Sequence, residues 1–183
     1  TTWLQWIQRI AAVLFIPVVA AATLLVYYQN GEESISPQIW KMNVKPGMTA
    51  SLTLPDSTIV YLNSGSSLSY PSFFSGKKRE VALSGEAYFQ VTPNANKKFI
   101  VSTPHQSRIE VLGTCFNIEA YEQDNEITTT LIKGKVNFLY NQNDSTRQIA
   151  LSPSQKLIYT PETNKVKLTK TTGISETAWK ENK

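Results

Sequence analysis

The feature that most constrains this chain is a run of nineteen residues, Ile10 to Tyr28, that contains no charged side chain. Nineteen residues of α-helix rise about 28 Å, close to the thickness of the hydrocarbon core of a bilayer. The run therefore predicts a single transmembrane helix over 10–30, preceded by a short stub over 1–9. A secretory signal peptide, with Ala20-Ala21-Ala22 as its cleavage site, is the alternative interpretation.

The charges beside this run predict its orientation. Arg9 precedes the run, and Glu32 and Glu33 follow it. Because positive charges favour the cytoplasmic side of a membrane, the stub is expected in the cytoplasm and the rest of the chain outside it. Residues 31–39 are then a short linker that leaves the membrane.

The remainder of the chain is patterned as an all-β domain over 40–172. Runs that alternate apolar and polar residues recur at roughly 8–12 residues, the spacing of antiparallel β-sandwiches and β-rolls. We expect a core that contains Leu83, Phe89, Val91, Ile100, Val111, Phe116, Ile118 and Leu131. Residues 173–183 are interpreted as a linker or the start of a truncated C-terminal domain. The predicted strands are Trp40–Val44, Thr49–Leu54, Thr58–Leu62, Arg79–Leu83, Ala87–Thr92, Phe99–Ser102, Ser107–Leu112, Phe116–Tyr121, Glu126–Lys133, Lys135–Tyr140, Arg147–Leu151, Lys156–Thr160 and Val166–Thr169.

The composition argues against several classes of protein. The chain has 18 Lys and Arg against 14 Asp and Glu, and its basic residues are scattered except at 77–79 and 97–98. Neither cluster has aromatic residues arranged for nucleic acid, so both are expected to be solvated loops. The single cysteine, Cys115, excludes an internal disulfide, and one Cys with one His does not make a metal-ligand set. We therefore expect no metal, no cofactor and no nucleic acid.

The sequence contains no motif of a turnover enzyme. It has no G-x-S-x-G, P-loop, H-E-x-x-H or Gly-rich dinucleotide turn. His105 lies in a turn-like stretch and is expected to be exposed. Glu86 is expected to have a structural role, paired with Arg79 or Lys78 across a hairpin.

The most unusual place in the β pattern is Gly113–Thr114. The alternation of apolar residues slips by one position there, which is typical of a bulge. The Thr114 hydroxyl can approach the Gly113 carbonyl, and an N→O acyl shift would give an ester that water cleaves. Gly113–Thr114 is therefore a candidate self-cleavage bond. An ordinary bulge is the alternative interpretation.

Four stretches, taken in order, resemble the FecR family of transmembrane anti-sigma regulators. They are Leu54–Pro71, Arg79–Val91, Phe99–Thr103 and Val111–Tyr121, and they follow the family's order within the part of the chain between residues 47 and 159. The resemblance implies a single-pass chain in the inner membrane of a Gram-negative bacterium, with a cytoplasmic N-terminus and a periplasmic bulk.

The same resemblance implies the partners. In the family, an N-terminal domain binds an extracytoplasmic-function sigma factor, and a C-terminal domain receives a TonB-dependent outer-membrane transducer. Both domains are expected outside the present sequence. Some members are cut between the Gly and Thr that align with Gly113 and Thr114.

The alternative function is a membrane-anchored periplasmic β-module that binds a glycan or an envelope polymer. Such a module would need a platform of exposed aromatic side chains. The candidates for that platform are Tyr70, Phe73, Phe74, Tyr88 and Tyr140.

Overall fold

The computed structural model describes residues 2–30, 36–143 and 145–180. The chain forms two compact units, one over 1–36 and the other over 37–183, which we call the β unit. The first contains helix α1, Thr2–Asn30, with Pro17 inside it. Among the residues that the structure describes, no helix is long and apolar enough to cross a membrane. The predicted transmembrane helix stays a prediction, and most of the predicted linker, 31–35, lies outside the described residues.

The regular secondary structure of the β unit is almost entirely strand, with short helical turns at Pro104–Gln106 and Pro161–Thr163. Helix α2, Ile174–Thr177, and a 3₁₀ turn at Ala178–Lys180 follow the last strand. Thirteen strands occur in the described part of the chain: β1 Ile39–Asn43, β2 Ala50–Thr53, β3 Ile59–Leu62, β4 Ser67–Pro71, β5 Lys78–Gln90, β6 Lys98–Ser102, β7 Arg108–Val111, β8 Cys115–Ala120, β9 Ile127–Lys133, β10 Val136–Gln142, β11 Ser145–Leu151, β12 Gln155–Thr160 and β13 Lys165–Lys170.

The strands form one curled sheet whose two halves share β5. The first half has the order β1-β4-β5-β6-β7-β10-β11, and the second has the order β2-β3-β5-β8-β9-β12-β13. Strand β5 passes from the first half to the second at Gly85, which has a φ of +112°. A Cβ at Gly85 would lie 2.6 Å from the Ser66 Cα, so only glycine fits this bend.

The core lies between the two halves of the sheet. Phe89 and Phe116 stack with their ring centroids 5.2 Å apart in the second half, and Phe99 of the first half contacts Phe89 at 6.1 Å. Phe138 and Tyr159, one from each half, meet at 5.6 Å. All eight residues expected in the core are buried, so that prediction is confirmed.

The prediction of a β fold is confirmed, and the pairs between the described strands are antiparallel except for one. Strand β6 runs parallel to the first half of β5, from Lys98 beside Lys78 to Ser102 beside Ala82. The sheet is therefore mixed. The cause is the bend of β5, which curls the end of the strand back so that the short connection 91–97 returns beside its start.

Candidate functional site

Gly113 and Thr114 lie in the connection that carries the chain from β7 in the first half to β8 in the second. Because the chain passes from one half of the sheet to the other here, the alternation of apolar residues shifts by one position. The irregularity of the ladder itself lies next to it, because Cys115 is opposite Lys133 whereas Phe116 is opposite Leu131. Ile132 is thus the extra residue of a bulge, and it belongs to β9 rather than to the stretch in which the sequence predicted it.

The peptide between Gly113 and Thr114 is enclosed on two sides. A Cβ at Gly113 would lie 2.6 Å from the Pro93 Cα. Gly134 has a φ of +99°, and a Cβ there would lie 2.9 Å from both the Gly113 carbonyl oxygen and the Thr114 hydroxyl. Gly113 itself is outside the positive-φ region. Glycine is therefore required at 113 by the close approach of Pro93, and not by a left-handed backbone.

Hydrogen bonds hold this peptide from both ends. Thr114 is buried, its hydroxyl donates to the Lys135 carbonyl at 2.9 Å, and its own carbonyl accepts from the Val91 N–H at 3.0 Å. The Leu112 carbonyl accepts from the Asn94 N–H at 2.7 Å. The Lys135 carbonyl therefore orients the hydroxyl hydrogen, and the hydroxyl oxygen has the lone pairs that a nucleophile needs.

A cavity of about 160 Å³ opens beside this bond and is lined by Gly113 and Thr114. Its wall also contains Lys98 and Glu110, whose side chains pair at 2.8 Å. A cavity of this size that is open to solvent and carries these two charged side chains has room for water. The arrangement can thus supply the water that hydrolysis of an ester at Thr114 requires.

Arg79 braces the loop that closes over Gly113. Its guanidinium donates to Asp56 at 2.7 Å, to the Thr92 carbonyl at 2.9 Å and to the Lys97 carbonyl at 3.1 Å. These two carbonyls are the two ends of the loop 92–97, which contains Pro93. Arg79 is only 2% exposed, so the expectation that the whole basic cluster 77–79 is solvated is wrong at this residue.

The expected pairing of Glu86 with Arg79 or Lys78 is also wrong. Glu86 accepts hydrogen bonds from the amides of Asn63 at 2.6 Å and Asn117 at 2.8 Å. The bend at Gly85 separates it from Arg79, because the two residues lie in different halves of the sheet. Glu119 is directly opposite Glu86, and burial together with the Glu86 charge raises the pKa of Glu119 above its ordinary value.

Comparison with known proteins identifies the family. A family model described as FecR protein matches residues 41–137, more than half of the chain. The chain belongs to the FecR family. This confirms the resemblance seen in the sequence.

Two crystal structures of a candidate anti-sigma factor from Parabacteroides distasonis ATCC 8503 share the fold of this FecR-family chain. Both are 32% identical to it, with TM-scores of 0.71 and 0.70 over 78% and 76% of its length. The chain spans 64% of the length of each solved chain. No curated protein matches the sequence.

The remaining candidate residues of this FecR-family chain do not converge on one place. His105 is exposed, as expected, and Cys115 is half-buried with a free thiol. Tyr88 and Tyr140 are buried, whereas Phe73 is 39% exposed, so the five aromatic residues do not form a common exposed platform. Within residues 2–30, 36–143 and 145–180, no group of three His, Cys, Asp or Glu side chains is placed to hold a metal.

Proposed function

We propose that this chain is an anti-sigma regulator of the inner membrane. It relays a signal from a TonB-dependent outer-membrane transducer, through a periplasmic β unit, to a cytoplasmic extracytoplasmic-function sigma factor. The observation that supports this most strongly is the match to the FecR family together with the 32% identity to a candidate anti-sigma factor. The proposal includes no turnover of a substrate.

The membrane location is supported by the surface of α1. Phe15, Ile16 and Val18 are 69%, 68% and 65% exposed, and they lie within the run of residues that contains no charge. Exposed apolar side chains in such a continuous set are unfavourable in water and favourable in a bilayer. Arg9 before the run and Glu32 after it support a cytoplasmic N-terminus.

Deletion of the gene in its own host tests the regulatory role. We expect the transcripts that depend on one extracytoplasmic-function sigma factor to change together, and the wild-type gene supplied in trans to restore them. Phe116→Ala supplied in the same way should not restore normal signalling, because it disrupts the core of the β unit. An unchanged transcript profile would count against the proposal, and binding of envelope glycans would favour the alternative function.

Self-cleavage at Gly113–Thr114 is a second proposed activity, supported by the enclosed peptide, the oriented hydroxyl and the adjacent cavity. The Thr114 oxygen would attack the Gly113 carbonyl carbon, the C–N bond would break with the proton passing to nitrogen, and water would hydrolyse the ester. The products would be a Gly113 carboxylate and a free Thr114 amine.

Intact-mass spectrometry of the purified chain tests this activity. We expect two fragments that stay associated, because β7 and β8 remain in the sheet after the cut. Thr114→Ala should stay whole, Thr114→Ser should retain some cleavage, and Thr128→Ala on β9 is the matched control that should cleave normally. A single full-length mass for the wild type after prolonged incubation would leave the bond as a structural feature only.

A further inference from the structure

A row of side chains crosses the outer face of the second half of the sheet. Tyr88 on β5 is opposite Asn117 on β8, Asn117 is opposite Thr130 on β9, and Thr130 is opposite Lys156 on β12. The neighbours Phe89, Phe116 and Leu131 point into the core. Because side chains alternate between the two faces of a strand, the row faces outward. We call these four residues the outer row.

Residues 171–180, which we call the clasp, lie across the outer row. Lys180 Nζ lies 4.2 Å from the centre of the Tyr88 ring, at one end of the row. Glu176 pairs with Lys156 at 3.3 Å, at the other end. Between them, Gly173 packs so closely against Ile132 that a side chain there would overlap the Ile132 Cδ1. The clasp therefore touches β5, β9 and β12.

The clasp is organised around Glu176. Its carboxylate accepts hydrogen bonds from the hydroxyls of Thr171 at 3.1 Å and Ser175 at 2.7 Å, besides the one from Lys156. The Trp179 indole N–H donates to the Glu176 carbonyl at 3.1 Å. Burial would raise the pKa of Glu176, but these hydrogen bonds outweigh burial and lower it, so the carboxylate stays charged.

The surface beneath the clasp is imperfectly matched to it. Asn117 and Thr130 are 3% and 1% exposed, and among the described residues the Asn117 Oδ1 and Thr130 Oγ1 have no hydrogen-bond partner. Buried polar atoms without a partner carry a free-energy cost that water would remove. Lifting the clasp admits water to this face, which offsets part of the contacts that are lost. These two unpaired atoms therefore reduce the net free-energy cost of lifting the clasp.

The clasp also contacts the bulge that lies beside the candidate cleavage bond. Gly173 packs against Ile132, which is the extra residue of β9 in its pairing with β8. Two residues further on, Gly134 closes against the Gly113–Thr114 peptide. Displacement of Ile132 would thus act on the end of β9 and on the turn at Gly134, which encloses Thr114.

We propose that the clasp is a releasable latch, and that a protein which engages the chain beside it lifts the clasp and loosens the end of β9 and the turn that follows it, over Ile132–Gly134. The inference rests on the proposed function for the nature of the signal, a protein that contacts the β unit. The latch itself rests on the contacts of Glu176, Lys180 and Gly173. It gives the chain a route from a binding event at its carboxyl-terminal side to Gly113–Thr114.

Hydrogen exchange of the full chain in detergent tests the latch without any partner. The parent and all variants carry Thr114→Ala, so that none of the proteins compared can cleave itself at Gly113–Thr114. In Glu176→Gln/Lys180→Ala, exchange should be at least about tenfold faster in peptides that cover 171–180 and 130–134, and unchanged in those of 136–151. Lys180→Ala alone should give a smaller change in the same peptides.

The matched control is Glu162→Gln/Lys165→Ala, which alters one exposed acidic and one exposed basic residue outside the clasp. It should exchange like the parent. Unchanged exchange at 171–180 in the clasp variant would overturn the latch. Faster exchange confined to 171–180 would show that the clasp is not coupled to β9. Equally faster exchange across 136–151 would show that the variant loosens the whole β unit rather than the clasp and its neighbours. None of these outcomes bears on sigma-factor binding, so the latch and the proposed function fail separately.

Discussion

Replacing Asp56 with alanine should lower the free energy of unfolding of the β unit by about 3–5 kcal/mol, the usual cost of breaking a buried ion pair by removing one partner. The change leaves the Arg79 guanidinium, which is 2% exposed, without its counter-charge. It also removes the carboxylate that accepts from the Thr58 N–H and hydroxyl. Urea denaturation of residues 37–183, followed by tryptophan fluorescence, measures the difference.

Two further variants define the cause of this loss. Glu80→Ala removes a carboxylate that lies 3.8 Å from Lys78, and both side chains of that pair are 60% exposed. It should cost at most about 1 kcal/mol, because solvent screens an exposed pair. Asp56→Ala/Arg79→Met should cost less than the sum of the two single changes, since no charge is then left buried alone. If Asp56→Ala lowered the free energy of unfolding no more than Glu80→Ala does, the buried Arg79–Asp56 pair would not stabilise the β unit.

Phe116→Ala should cost about 3–5 kcal/mol of unfolding free energy, as for other fully buried aromatic residues. Phe116 is 0% exposed and stacks on Phe89, which in turn contacts Phe99 in the first half of the sheet. Removal of the Phe116 ring therefore leaves a cavity at the place where the two halves of the sheet meet.

Phe73→Ala is the control for this change, because the Phe73 side chain is 39% exposed. It should cost well under half as much in the same urea titration. Equal costs for the two variants would show that the stacked pair does not hold the halves together.

The sequence predicts the local features of the fold well. Buried residues such as Phe89, Ile118 and Leu131 could be identified because alternation reports directly which face of a strand is apolar. Strand β4 was missed because its serines alternate with only two larger residues, Leu68 and Tyr70. Strand β5 was predicted as two strands because Gly85 looks like a break, whereas the structure uses it as a bend within one strand.

The features that the sequence does not predict are contacts between distant residues. Asp56 and Arg79 are 23 positions apart, and nothing in the local pattern of the Asp56 turn or of β5 indicates that they meet. The slip at Gly113 was visible, but its cause, a change of sheet half, depends on the pairing of strands. The same holds for the clasp, because only the fold shows that residues 171–180 cover the outer row.

Purification of the full gene product from inner membranes tests the regulatory role most directly. The protein, tagged at its own locus and extracted in mild detergent without inducing signal, should carry one extracytoplasmic-function sigma factor identified by mass spectrometry. A tagged inner-membrane protein of another family is the control for background binding. We expect the sigma factor to be enriched with the tagged chain and lost from it after induction. Extraction of the chain from the inner membrane with no sigma factor, whether induced or not, would contradict it.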